Sequence, residues 1–405
     1  MAYIDRYICL QNNPYMPLKS QKEAKNNPNS VSGNQCLRTV TKHLTKNLPI
    51  QIQGKQTADS FYEMLVSLAI HRHSVHSASK LFEKFPSESA IRYHLNKFTM
   101  DDLLSQSFAI LWESAAACLP PGKAYEFAID ETTDPYYGKR DEKNLDHVIS
   151  FVRKKSTNHF YGYYTLSVVS KNEKFILGVV PFLTSTSHKE MVQQLVSTLK
   201  IHQITPKVLY MDKGFYRSGV ISVLRKENIP FIIRLPLHGD KFRKRIWSCK
   251  KSTVLHHMME VRLPGGKRDK MQISIAVQAY RNKKHNGWLS HRGYVIEGKE
   301  VERWPVGKIV KMYEHRFSIE ATYRIRNQIK PRTSTKNPVI RYLFTIISFL
   351  IENVWVAFQM KHFIPCRRGP KVIDEDRFPL SVFVGLVSFR LKRKWKGVTT
   401  VEGLR

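Results

Sequence analysis

The spacing of apolar residues predicts a helical N-terminal part. From Thr57 onwards, apolar residues recur three and four positions apart, which is typical of amphipathic helices. Three such segments follow one another, and the third begins at Ser87, a helix-capping residue directly after Pro86. Two short helices tightly connected to a third predict a helix-turn-helix-like arrangement, although a plain helical bundle has the same pattern.

The last of these helices carries basic residues on its predicted exposed side. In a helix-turn-helix, this helix lies in the major groove of DNA, so Arg92 and Lys97 are candidate DNA contacts. We predict an all-α DNA-binding domain over residues 36–119. An N-terminal arm and a polar, flexible linker are predicted over residues 1–35.

After Lys123, the pattern changes to runs of aromatic and β-branched residues, which favour strands. Three predicted strands form an antiparallel meander, and a helix, a strand, a helix and a strand follow. This order predicts an α/β fold with the mixed sheet of a ribonuclease H-like catalytic core. We assign residues 120–236 and 305–360 to this core, the second part ending in a buried helix.

Residues 237–304 interrupt the predicted core and differ from it in composition. They are rich in Lys and Arg, and patches such as MQISIAVQAY predict further strands. A basic, β-rich insertion suits a surface that grips DNA, but surface hairpins of a basic protein have the same composition. Trp288 is a candidate for stacking on an unpaired base, whereas a tryptophan among strands is more often core. Residues 361–405 form a basic C-terminal region.

Charge indicates a polyanionic partner. The 405 residues include 66 Lys and Arg against 33 Asp and Glu, a formal net charge of +33 at pH 7. Such a chain repels itself without an anionic partner, so nucleic acid is expected. No membrane association is expected, because Glu352 and Asn353 interrupt the longest apolar run. The five cysteines lie far apart, which predicts a reducing interior without a disulfide framework.

Two aspartates follow predicted buried strands. Asp212 comes after the run VLYM, and Asp130 comes after the run FAI. An aspartate in this position either bonds the backbone of the following turn or handles a metal or a proton at the rim of the sheet. In the predicted topology the two strands are neighbours, so both carboxylates would lie at the same sheet end, within reach of a common metal.

A third candidate carboxylate lies in a predicted helix over residues 310–330. With 3.6 residues per turn, Tyr313, Arg316 and Glu320 fall within about 60° of one face. The alternative is an ordinary amphipathic helix in which Glu320 pairs with Arg316 or Arg324.

The motifs AIDET, YMDKGFY and YEHRFSIEATYR together resemble the DDE transposases of prokaryotic insertion sequences, in the group with a β-strand insertion between the second Asp and the Glu. The resemblance covers residues 125–358 and rests on three motifs in the right order. It implies that Asp130, Asp212 and Glu320 form a metal-binding catalytic triad. It also implies that Tyr313 and Arg316 contact phosphates near the transposon end.

Two positions complicate this pattern. The family has a Lys seven residues after the Glu, where this chain has Asn327. Arg324, Arg326 and Lys330 lie nearby. Either a neighbouring base supplies the charge, with Arg324 and Lys330 as the predicted DNA contacts, or this contact is weaker. Asp134, four residues after Asp130, is a second candidate for the metal, although Asp130 directly follows the apolar strand.

The resemblance implies two-metal phosphodiester chemistry. Two Mg²⁺ ions about 4 Å apart, replaceable by Mn²⁺, would be held by the triad. Cleavage would free 3′-hydroxyl groups that attack target DNA, and cut-and-paste is the expected route, with Trp288 acting on a hairpin intermediate. A homodimer in a synaptic complex with double-stranded DNA is expected, as is a cytoplasmic, nucleoid-associated location in a prokaryote.

Two other functions remain open on the sequence. A ribonuclease H-like nuclease or resolvase would use the same scaffold and carboxylates, but it would not need the basic insertion or a domain that reads DNA ends. A transposase-derived DNA-binding protein that has lost catalysis is distinguished by loss of the triad, and here all three carboxylates are present.

Overall fold

The computed structural model describes residues 30–400 of the chain apart from the segments 54–55, 143, 155, 171, 238–239, 263, 283–287 and 365–371. The predicted N-terminal arm and most of its linker therefore lie outside the described residues. Within them, the predicted α/β fold with an all-α N-terminal part is confirmed.

Five helices build the N-terminal part: α1 Gly33–Asn47, α2 Ala58–Ile70, α3 Val75–Leu81, α4 Glu88–Leu95 and α5 Met100–Ala116. Each follows a Ser or Thr whose side-chain oxygen accepts a backbone N–H of the first turn. The predicted cap at Ser87 is one of these and accepts the N–H of Ala90. The helix boundaries in this part thus follow from local capping chemistry.

Nine strands of the described chain form one mixed sheet: β1 Tyr125–Tyr136, β2 Val148–Lys154, β3 Thr157–Val168, β4 Ile176–Pro181, β5 Pro206–Met211, β6 Phe231–Arg234, β7 Thr253–Arg262, β8 Arg268–Asn282 and β9 Trp288–Glu297. Their order is β2-β3-β1-β5-β6-β9-β8-β7, and β4 pairs with β3 outside this path. The sequence pattern did not indicate β2, which lies at the end of this order and pairs with β3.

Strands β1 and β5 are parallel neighbours, as the predicted topology requires, with Ile129 opposite Met211. However, β1 does not end at Asp130. It continues to Tyr136 because β3 pairs with it in antiparallel register over that stretch, with Asp130 opposite Thr165. Asp130 therefore lies where the parallel pairing stops, one residue beyond the last β1–β5 pair.

The inserted region continues the central sheet. It contains helix α8, Asp240–Trp247, and strands β7 to β9. Strand β9 pairs in antiparallel register with β6, with Ile296 opposite Ile232. Ile273 and Ile275 of β8 are buried in the same hydrophobic cluster as the central strands. The predicted extra strands are therefore present and share a hydrophobic core with the central strands.

Helices cover both faces of the sheet: α6 His188–Ile201, α7 Ser218–Lys226, α9 Val306–Tyr313 and α10 Ser318–Arg326. Successive residues of β5 point to opposite faces. Leu209 and Met211 share a cluster with apolar residues of α6 and α7, whereas Val208 and Tyr210 share one with residues of α9 and α10. Helices α9 and α10 are therefore on a different face from α6 and α7.

Two further helices complete the described chain, α11 Pro338–His362 and α12 Leu380–Trp395. Helix α11 is the predicted buried helix. It is long and apolar enough to cross a membrane, but 78% of its most apolar window is buried inside the protein. Helix α12 lies within the predicted C-terminal region and contacts α2, since Lys394 forms an ion pair with Glu63.

Candidate active site

Asp130 lies on β1, one residue beyond the last pair with β5, and accepts a hydrogen bond from an arginine in the segment between α9 and α10. The Nη1 of Arg316 donates to the Asp130 carboxylate at 3.0 Å. Burial raises the pKa of Asp130 to about 6; Arg316 opposes this shift, whereas the negative charges of Asp212 and Glu320 add to it. Asp130 is therefore close enough to each of the other two candidate carboxylates to be influenced by its charge.

Asp212 follows β5 and has a structural role as well. Its Oδ1 accepts the backbone N–H of Gly214 at 2.7 Å and starts the short 3₁₀ turn Lys213–Phe215. The interpretation of this aspartate as a turn residue is thus correct, but it does not exclude a role in handling a metal or a proton. Asp212 also lines an open cleft of about 440 Å³ together with Arg316.

Glu320 lies in the first turn of α10 and is more exposed than Asp130, with 56% of its side chain accessible. The predicted continuous helix is interrupted, because a 3₁₀ segment, Glu314–Phe317, separates α9 from α10. Arg316 belongs to this segment, and its Nη2 is 4.0 Å from the Glu320 carboxylate. One guanidinium therefore lies between two candidate carboxylates, Asp130 and Glu320.

Tyr313 is buried, and its hydroxyl donates to the main-chain carbonyl of Met211 at 3.1 Å. Burial raises its pKa to about 12. The contact ties the end of α9 to the end of β5, directly before Asp212. Arg316 is 8% exposed, and its Nε is buried without a hydrogen-bond partner.

Sequence reasoning missed two arginines of the same cleft, Arg234 and Arg292. Arg234 is the last residue of β6, the strand parallel to β5, so it reaches the sheet end that carries Asp212. Arg234 is a polar residue at the end of a buried strand, as Asp212 is next to one, so the same sequence pattern indicates both. These cations give the cleft a lining that suits a polyanion.

Asp134 does not join the candidate triad. It is buried, and both of its oxygens are engaged: Arg326 Nη2 is 2.6 Å from Oδ2, and Lys330 Nζ is 2.5 Å from Oδ1. Burial raises the pKa of Asp134, but these two cations outweigh burial and hold it well below its usual range. Its charge is therefore committed to a buried ion-pair network.

The remaining predicted DNA contacts lie on several surfaces and stay predictions. Arg324 and Arg92 are exposed, and Arg92 forms an ion pair with Glu88. Lys97 bonds the carbonyl of Gln51. Trp288, at the start of β9, is 75% exposed. Lys330 is the exception, because it pairs with Asp134 as described above.

In the described part of the chain, no cluster of three or more His, Cys, Asp or Glu side chains is tight enough to hold a metal ion as it stands. The chemistry of the donor set nevertheless fits one. The negative charges of Asp212 and Glu320 both act on Asp130, and carboxylate oxygens are the ligands that hard divalent cations prefer. Arg316 supplies the positive charge among them in this arrangement.

Comparison with known proteins decides the family. A family model described as the transposase DDE domain matches residues 121–338, more than half of the chain. The chain belongs to the DDE transposases. The matched part of this transposase runs from just before β1 to the first residue of α11, so it contains all three candidate carboxylates and the insertion. Members of this family generally use divalent metal ions.

Among solved structures, the transposase is similar to the piggyBac transposase in a synaptic complex with hairpin DNA. The two chains are 12% identical, and the alignment covers 91% of this chain and 83% of the other with a TM-score of 0.49. No curated protein matches the chain. Membership of the prokaryotic insertion-sequence group stays a prediction.

Proposed function

We propose that this transposase binds the terminal inverted repeats of a prokaryotic insertion sequence, cleaves DNA there and joins the freed 3′ ends to target DNA by a cut-and-paste route. The observation that carries the proposal is the grouping of Asp130, Asp212 and Glu320 around Arg316, where the parallel pairing of β1 and β5 stops. The family match supports the chemistry, and the basic cleft supports the substrate.

The three carboxylates are the residues that would hold divalent metal, and Mg²⁺ is the proposed ion, with Mn²⁺ as a substitute. When bound, a pair of such ions supplies Lewis-acid activation of water or of a 3′-hydroxyl and stabilises the leaving oxygen. Asp130 is held by Arg316, and Asp212 is held by the turn that it caps. Hydrogen bonds from other residues of the protein thus orient both side chains.

Arg316 has a second proposed role towards DNA. A guanidinium group matches the geometry of a phosphate, and this one lines the cleft beside Asp212. Tyr313 acts through position: its bond to Met211 holds α9 against the strand that presents Asp212. The formal charge of +33 favours DNA at every stage of binding.

The proposed assembly is a homodimer in a synaptic complex with double-stranded DNA, since two ends of an element must be processed together. Residues 36–119 are the proposed DNA-binding domain, residues 237–304 the proposed DNA-gripping insertion, and residues 120–236 with 305–360 the proposed catalytic core. A cytoplasmic, nucleoid-associated location in a prokaryote belongs to the same proposal.

A cleavage assay with a matched pair of variants tests the catalytic role. Asp212→Asn keeps a side-chain oxygen to accept the Gly214 N–H, so the turn is preserved while the charge is lost. Asp146→Asn is the control, because Asp146 also accepts bonds from a neighbouring loop, at Thr184 and Ser185. DNA that flanks the gene is incubated with each protein and Mg²⁺ or Mn²⁺, and the products are resolved on a denaturing gel.

We expect Asp212→Asn to lose at least 100-fold in cleavage rate, on the order of one metal-dependent interaction of the transition state, and Asp146→Asn to cut normally. Products in which element ends are joined to target DNA separate a transposase from a nuclease or resolvase. If the unaltered protein binds this DNA but cuts it with neither metal, the inactive DNA-binding protein replaces the proposal.

A further inference from the structure

A cationic pocket lies between the end of α2, strand β1 and the segment that follows α10. Its volume is about 340 Å³, ample room for a phosphate group. Among its described lining residues, Asp134 is the one acidic side chain against four basic ones, Arg72, Lys330, Arg332 and Arg341. The proposed catalytic triad does not use this pocket.

The acidic residue of the pocket is already compensated. Arg326, which is fully buried, and Lys330 both contact the Asp134 carboxylate. Glu352 also interacts with Arg326, but burial raises its pKa well above its usual range, which favours its uncharged form. Two cations therefore share one carboxylate, and positive charge remains.

Arg341 adds a further buried cation. Its Nε donates to the carbonyl of Thr335 at 2.6 Å, and its guanidinium lies 5.2 Å from the ring centre of Tyr136 and 4.6 Å from that of Tyr161. These contacts orient the group but supply no formal negative charge. Burying charge without a counter-charge is unfavourable, so an anion entering the pocket is stabilised.

Arg72 and Arg332 bring exposed guanidinium groups to the same rim from two parts of the chain. The backbone N–H of Arg332 donates to the carbonyl of His73 at 3.1 Å, which ties the segment after α10 to the end of α2. Arg72 directly precedes His73. Neither guanidinium forms an ion pair with another residue in the described ranges, so both can bind a ligand.

Lys330 is also influenced by the charges of the other cations around the pocket. Burial lowers its pKa to about 8; Asp134 opposes this, and the charges of Arg326 and Arg341 add to it. A bound anion would raise the pKa of Lys330 and so favour its charged ammonium form.

We propose that this pocket binds a backbone phosphate of DNA, on the strand that crosses the candidate active site. The inference rests on the proposed function and deepens it, because it adds Arg72 and Arg332 to the DNA-binding surface. Asp130 and Asp134 are four residues apart on β1, which corresponds to roughly 13 Å along the strand. The bound phosphate therefore belongs to a nucleotide a few positions away from the cut.

A binding experiment in the absence of metal tests this site separately from cleavage. The full chain is titrated with duplex DNA that flanks the gene, in which single neutral methylphosphonate linkages replace one phosphate at a time. The test variant is Arg72→Ala/Arg332→Ala. The charge-matched control is Lys123→Ala/Lys200→Ala, because both lysines precede the starts of β1 and β5 and lie at the other end of the sheet.

We expect one linkage position to weaken binding to the unaltered protein roughly tenfold, the effect of losing one charge-assisted hydrogen bond. The same linkage should have no effect on the Arg72→Ala/Arg332→Ala variant, while the lysine control keeps the unaltered pattern. The slope of log affinity against log salt should also become shallower by about one for each arginine removed.

Two results would overturn the inference. One is that every linkage affects the arginine variant as it affects the unaltered protein. The other is that inorganic phosphate raises the melting temperature of the unaltered protein but not of the arginine variant, while the two proteins bind DNA equally well. That result would assign the pocket to free phosphate. The proposed function is judged by metal-dependent cleavage and Asp212→Asn, so it can stand if this site fails.

Discussion

Asp134 connects the two elements that carry Asp130 and Glu320. It lies on β1 four residues after Asp130, and its partner Arg326 lies on α10 six residues after Glu320. Arg326 also bonds Thr132 of β1 at 3.2 Å and Thr345 of α11 at 3.3 Å. This buried network fixes α10 against β1 and thereby sets the separation of the candidate carboxylates.

Replacing Asp134 with Asn should destabilise the protein strongly. The substitution leaves the buried Arg326 and the partly buried Lys330 without their counter-charge, which costs about 3–5 kcal/mol of the free energy of unfolding. Urea titration followed by circular dichroism measures the loss. Asp141→Asn is the control, because Asp141 forms an exposed ion pair with Lys336 and should cost less than about 1 kcal/mol. Equal losses in the two variants would show that the network contributes no more than a surface pair.

The contribution of Asp134 should also depend on pH with a defined sign. The pKa of Asp134 in the folded protein lies well below its unfolded value of about 3.9. Its stabilising contribution is therefore complete when the pH is above the unfolded pKa, and it is lost as the pH falls towards the folded pKa. The difference in unfolding free energy between the unaltered protein and Asp134→Asn should stay constant from pH 7 to about pH 5. It should shrink progressively below about pH 4. A difference that grew on acidification would contradict this assignment.

At the residue scale, local sequence was enough for some functional candidates and insufficient for others. Asp212 directly follows an apolar strand, and Asp130 directly follows the apolar part of β1 where its pairing with β5 stops, so the proximity of the two could be inferred from neighbouring residues. The partner of Asp134 could not be inferred from neighbouring residues, because Arg326 lies 192 positions away in the sequence. The catalytic role of Asp130, Asp212 and Glu320 remains a prediction.

Helix α12 packs against α1 so closely that one position has no room for a side chain. A Cβ atom added to Gly33 would lie 2.1 Å from the main-chain carbonyl oxygen of Leu386. Because this neighbour is backbone, it cannot rotate away. Gly33 is therefore required by the contact between two helices that are about 350 residues apart in sequence.

Gly33→Ala should push α12 away from α1 and lower the free energy of unfolding by about 1–3 kcal/mol, the usual cost of overpacking. Gly385→Ala is a matched control in α12 itself, because its added Cβ meets no atom within 4 Å. That change should be neutral or stabilising by up to about 1 kcal/mol, since alanine favours helix. Thermal and urea unfolding of both variants measure the difference. A Gly33→Ala protein as stable as the unaltered one would mean that the helices can separate at no cost.

At the element scale, periodicity predicted most helices and central strands but not how they combine. The order of strands and helices predicted that β1 and β5 are neighbours. The break between α9 and α10 was missed, because residues 310–330 keep a helical pattern through the 3₁₀ turn. The docking of α12 was also missed, since its partners α1 and α2 lie near the other end of the chain. Pairings over such distances leave no local signal.

One hydrophobic cluster joins the helical N-terminal part to the sheet and to both C-terminal helices. Polar bonds reinforce it: the Tyr342 hydroxyl of α11 donates to Ser107 of α5, and Asn353 of α11 donates to the Leu111 carbonyl and to Ser114. Residues 36–119 therefore share their core with helices from the other end of the chain. Sequence-based boundaries place this segment in a domain of its own, which stays a prediction.

A shared core predicts that residues 30–119 alone do not form a stable domain. Without α11 and α12, the fragment exposes apolar residues that the full chain buries, such as Leu65 and Leu68 of α2, and loses their transfer free energy. Circular dichroism should show reduced helix content and no cooperative thermal transition. A second fragment that adds residues 372–400 through a flexible linker should regain part of the helix signal, because α12 restores contacts with α1 and α2. Cooperative unfolding of the short fragment would instead support an independent DNA-binding domain and would limit the shared core to a docking contact.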